Sequence, residues 1–96
     1  MRYRCRLRLS PRALRLFPSV VPSEAVGAML AGADAPDREG WREVELQLES
    51  EEVAAEQLTA LGAGVEVLEP APLRRRLHEV GRLLAARNAR SRPRRP

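Results

Sequence analysis

The chain has 96 residues, with seventeen basic and thirteen acidic side chains and a formal net charge of +4. That length holds one domain with a single small core, and an aromatic content of 3% makes the core aliphatic. The one cysteine, Cys5, excludes an internal disulfide. No apolar run approaches the ~20 residues of a membrane span and no signal-type segment follows the basic N-terminus, so the expectation is a cytoplasmic protein.

The charge is segregated. All seventeen basic residues are arginine; residues 1–16 carry a net +6, residues 17–69 a net −10 and residues 70–96 a net +8. A basic–acidic–basic chain can neutralise itself on folding, so the high pI does not by itself call for a nucleic-acid partner.

In chain order, "RYRCRLRL" at 2–9 alternates strictly. Arg2, Arg4, Arg6 and Arg8 share one face and Tyr3, Cys5, Leu7 and Leu9 the other, the pattern of a half-buried strand. Ser10 is placed to cap a helix and Pro11 suits its first position, so "PRALRLF" is expected as two helical turns stopped by Pro18. "SEAVGAMLAGA" suits either a helix or a strand by composition. The turn "DAPDREG" leads into a clean strand with Val44, Leu46 and Leu48 on one side, which favours a strand partner over 24–31. Ser50 caps a helix whose first turn holds Glu51 and Glu52 and whose buried stripe is Ala54, Leu58 and Leu61, with Gly62 at the C-terminal cap. "GVEVLE" is a short strand with Val65 and Val67 inward. Pro72 then opens a helix with apolar positions Leu73, Leu77, Val80 and Leu84, spaced four, three and four. "RNARSRPRRP" has no apolar face and is expected to be a disordered tail.

The order β-α-β-β-α-β with an added C-terminal helix predicts an α+β, ferredoxin-like sandwich. The boundaries are a module over 1–88 and a tail over 89–96. In that topology the first strand is central, and its arginines meet Glu43, Glu45 and Glu49 on one side and Glu66 on the other, at roughly 0.2–1 kcal/mol per pair.

Little in the chain points to catalysis. His78 has no ligand cluster near it, whereas a metal site needs three or four ligands. Nothing activates Ser10, Ser19, Ser23, Ser50 or Cys5 as a nucleophile, and Cys5 points away from its arginine neighbours, as a buried inert thiol would. "GAG" at 62–64 follows a helix and enters a strand, the wrong order for a phosphate loop. No enzyme activity, cofactor or metal is expected. Arg74, Arg75 and Arg76 lie off the apolar stripe of their helix. They read as its wet face, or, with the arginines of the tail, as a non-specific phosphate-binding surface.

The stretch "GW-REVELQLES-EEVAAEQLTALGAGVEVLEPAPLRRRL" resembles the C-terminal extension module, WCX, of WYL-domain bacterial transcriptional regulators. Gly40, Trp41, Leu61, Gly62, Val65 through Pro70, Leu73 and Arg74 carry the resemblance, and "LRLSPRALRLFPSVVPSEAV" resembles the module's first strand and helix. The resemblance implies a ferredoxin-like module that contributes to dimerisation and to relaying an effector signal, with itself or a WYL-domain regulator as partner, and Arg74 as a position of interest. Some members are thought to respond to nucleic-acid signals. The chain has no helix-turn-helix segment and no Trp-Tyr-Leu motif, since Arg42 and Glu43 follow Trp41. What is implied is therefore a regulatory module without DNA reading or enzyme activity. The alternative is a small nucleic-acid-binding protein that uses the arginine-rich helix and tail, and a ligand-sensing module of the same fold is a third option.

Overall fold

The computed structural model describes residues 2–92. Three strands, β1 (Tyr3–Leu9), β2 (Arg42–Leu48) and β3 (Val65–Glu69), form one antiparallel sheet in the order β2-β1-β3. Four helices, α1 (Pro11–Leu16), α2 (Ser23–Ala31), α3 (Glu51–Thr59) and α4 (Ala71–Asn88), complete an α+β architecture. β1 is central, as expected for the first strand.

Period-two patterning separates the two faces of the sheet. Cys5, Leu7 and Leu9 of β1, Val44, Leu46 and Leu48 of β2, and Val67 of β3 are all buried in one cluster with the helices. Phe17, Met29, Leu58 and Leu73 complete its interior. Each of these large side chains contributes about 1.5–3 kcal/mol by leaving water. The other face carries the charged residues and looks outward.

The helix starts follow from their caps. Ser10 accepts from the Ala13 amide at 3.0 Å and Ser50 from the Val53 amide at 3.2 Å, each satisfying a donor that an uncapped first turn leaves open. Gly62 has φ +64°, the left-handed conformation that a C-terminal glycine supplies at least cost. At Gly64 the limit is space instead, because a Cβ there would lie 2.5 Å from Ser10 Oγ and 3.0 Å from the Ala13 Cβ. The same join is held by the Ser10 amide donating to the Gly64 carbonyl at 2.9 Å.

One element differs from expectation. Residues 24–31, expected as a strand, lie within helix α2, so the sheet has three strands and the βαββαβ arrangement lacks its second. The Ala-, Met- and Leu-rich run follows its intrinsic preference, with only Met29 fully buried against the sheet. Among the described residues the chain after α2 makes one backbone hydrogen bond to that edge of the sheet, from the Asp34 amide to the Glu43 carbonyl at 3.1 Å. The expected tail falls in part on residues 93–96, outside the described residues; α4 ends at Asn88.

Candidate functional site

The outer face of the sheet is a lattice of charge pairs. Register sets Arg6 opposite Glu45 and Arg8 opposite Glu43 on β2, and Arg8 opposite Glu66 on β3. The side chains then pair diagonally as well as directly. Arg4 pairs with Glu45, and Arg6 reaches Glu43 at 3.1 Å and Asp34 at 3.1 Å. Arg8 holds Asp37 at 2.6 Å and Glu66 at 3.5 Å. Glu49, expected as a partner, forms no ion pair among the described residues.

Arg8 is the hub of this face. Its guanidinium also lies over the Trp41 ring, 4.5 Å from the centroid, where the negative ring face attracts a cation. The Asp37 carboxylate accepts from the Glu39 and Trp41 amides at 2.9 Å each, which closes the turn beneath that ring. The hydrogen bond from Arg8, with these two backbone donors, holds the Asp37 carboxyl below the usual aspartate range, and the same bond raises Arg8 further. The roles of Asp34 and Asp37 were not anticipated from the sequence. The signal was present in "DREGW", since an Asp two residues ahead of an amide it can accept from, followed by a glycine, is a turn signature. Gly40 at φ +84° is that glycine.

The three arginines of α4 separate. Arg74 turns back on the fold: its guanidinium donates to the Val67 carbonyl at 2.7 Å and stands 3.6 Å from Glu66, tying the first turn of α4 to β3. Arg76 pairs with Glu51 at 2.9 Å, and the same carboxylate accepts from the Tyr3 hydroxyl at 3.3 Å, so β1, α3 and α4 share one polar contact. Burial, helped by Glu51, raises the Tyr3 phenol. Arg75 has no ion pair among the described residues and is exposed.

The apolar stripe of α4 outruns the core. Leu73 is fully buried, Leu77 and Val80 are half-buried, and Leu84 is 51% exposed. Leu77, Val80 and Leu84 line a shallow groove with Val65 and His78. The basic side chains flanking this outer half, Arg87 and Arg90, have no carboxylate partner among the described residues, while Arg82 pairs with Glu79 at 2.6 Å.

Cys5 is buried beneath the sheet, and burial pushes its thiol up to about 12, with Glu45 adding to the rise. A thiol held protonated in this way is neither a nucleophile nor a ready metal ligand. Among the described residues no group of three His, Cys, Asp or Glu side chains could hold a metal ion, and no helix is long and apolar enough to cross a membrane.

No curated protein sequence and no solved structure matched the chain. The family model described as the WCX domain matches residues 1–85, from the start of β1 into the outer half of α4. The match spans every strand and the whole charge lattice, and it ends just past the point where the stripe of α4 emerges from the core. The chain belongs to the WCX-domain family.

Proposed function

We propose that the chain is a non-catalytic regulatory module of a WYL-type transcriptional regulator, and that it works by docking α4 against a second copy of itself or against a WYL domain. The observation that carries this reading is the stripe of α4, which is buried at Leu73 and 51% exposed at Leu84. A solvent-facing helix end has no need of leucine at the repeat of its buried half. Membership of the WCX family supports the regulatory part of the reading. The non-catalytic part of the reading draws support from Cys5, which is buried with its thiol held protonated.

Sedimentation of the chain alone and with a WYL domain tests the proposal. Self-association or complex formation that is lost in Leu84→Arg supports it. A strict monomer that binds no WYL domain counts against it.

A second reading, non-specific nucleic-acid contact, draws on Arg75, Arg87 and Arg90, which are exposed and have no carboxylate partner among the described residues. It requires retention on single-stranded DNA that weakens steeply with salt. It fails if the wild-type chain is not retained at low salt.

A further inference from the structure

The helix that replaces the missing strand leaves β2 as an edge. Its outward-directed backbone groups can be identified. The Glu43 carbonyl accepts from Asp34, on the side away from β1. Alternate residues of a strand in regular antiparallel register direct their amide and carbonyl to the same side, and β2 pairs with β1 without a break from Arg42 to Leu48. The amides and carbonyls of Glu45 and Gln47 therefore also point away from β1. Among the described residues no backbone partner outside the ladder meets them, and no side chain does either. They open onto a groove of about 910 Å³ between β2 and α2. The groove stays wide because α2 presents Ala25 and Ala28 to it and Gly32 follows at the helix end. Gln57 of α3 also lines it, and its Oε1 is shielded from solvent yet has no hydrogen-bond donor.

We propose that this groove binds an extended peptide segment of a partner protein, added to the sheet as a fourth strand beside β2, with basic residues at its outward positions and apolar residues at its inward ones. Strand addition at an open edge takes its affinity from main-chain hydrogen bonds and its selectivity from alternate side chains. Outward positions of the incoming strand stand beside Glu43, Glu45 and Gln47, and beyond them Glu49. Arginine or lysine there repeats on the second side of β2 the pairing that β1 supplies on the first. Inward positions meet the small residues of α2 and Val53 of α3. The charges lining the groove are Arg2, Arg6, Glu24, Glu45 and Glu49. Arg6 and Glu45 face each other at 4.0 Å, which leaves two carboxylates against one guanidinium. A second copy of β2 is the wrong occupant, because an antiparallel self-pairing sets glutamate against glutamate on the outer face. This inference does not depend on what α4 docks against.

The test is titration of the isotope-labelled full chain with a synthetic Arg2–Leu9 peptide carrying Cys5→Ser, read by amide chemical shifts. Saturable shifts centred on Glu45 and Gln47, and binding at least about tenfold weaker when the four arginines of the peptide are replaced by glutamate, are expected. Gln47→Pro removes one outward amide without touching the ladder to β1. It should weaken binding by a similar factor while leaving the melting temperature close to wild type. No shift at millimolar peptide overturns the proposal. So do equal binding of the glutamate peptide, shifts confined to β3 or α4, or concentration-dependent shifts at Glu45 and Gln47 without peptide, which would mark the edge as a self-association surface.

Discussion

β1 and α4 both combine arginine with apolar residues, and they use the two kinds of side chain differently. β1 buries Cys5, Leu7 and Leu9 and commits Arg4, Arg6 and Arg8 to partners within the fold. α4 fully buries only Leu73, and Arg75 and Arg87 on it, with Arg90 just beyond its end, have no partners among the described residues. Period explains part of the contrast. In a strand every second residue returns to one face, and two flanking strands supply carboxylates at fixed spacing. A helix sweeps its side chains round a full turn, so only those facing the body of the fold, Arg74 and Arg76 here, find a partner on another element, and Arg82 pairs within the helix with Glu79. A run of arginines therefore indicates a binding surface only after the pairing supplied by the fold has been subtracted.

The largest effect expected from this contrast separates the two ends of α4. Leu73→Ala should cost about 2–5 kcal/mol in chemical denaturation, as for a fully enclosed leucine. Leu84→Ala should stay within about 0.5 kcal/mol for the chain alone. Equal losses at the two positions would mean that the outer half of α4 is part of the core, and the contrast with β1 would fail.

A second comparison opposes Arg8 to Arg87. Arg8→Ala removes the partner of Asp37 and Glu66 together with the cation over Trp41, and should lower the melting temperature by several degrees. Arg87→Ala should leave it unchanged. The pH dependence sharpens this contrast. The Asp37 carboxyl is depressed in the folded state, so its contribution is complete above the ordinary aspartate value of about 3.9 and is lost as pH falls through the lower folded value. Melting curves of wild type and Asp37→Asn should therefore differ at neutral pH and converge in acid. A gap that persists in strong acid would mean that the turn is held by something other than the carboxylate charge.

The smallest difference lies within the triplet. Arg74→Ala loses a hydrogen bond to a backbone carbonyl and should cost about 0.5–1 kcal/mol. Arg75→Ala should cost nothing measurable in the same denaturant series.

Most of the architecture was legible from periodicity. The strict alternations at 2–9 and 42–48 and the stripe over 54–61 each specify a face as well as an element. Residues 23–31 resisted because "SEAVGAMLA" lacks a clear period: its apolar residues are nearly continuous and its single fully buried side chain, Met29, is chosen by tertiary packing. The hairpin suggested by "DAPDREG" then tipped the reading toward a strand, whereas that turn serves to bring Asp34 and Asp37 over the arginine face. For the candidate site, opposed charges on neighbouring strands could be read from the topology. The bond from Arg74 to the Val67 carbonyl could not, since it depends on the angle at which α4 leaves Pro70. The open edge of β2 was invisible for a related reason, because an expected strand was occupying it.

The arginine-only lattice also gives the sheet a lopsided response to titration. Its basic half is guanidinium, which keeps its charge beyond the range where lysine would lose it, while Asp37 stays ionised below the usual aspartate range. Arg6 and Arg8 are raised further by their partners, and Tyr3 and Cys5 also hold their protons above their ordinary values. The stability these raised groups contribute is complete below their unfolded values and is given up only as pH climbs past them. The guanidinium pairs should thus outlast lysine pairs in alkali, and the alkaline loss of stability should begin instead beneath the sheet, at the buried Cys5 thiol whose unfolded value is 9.0.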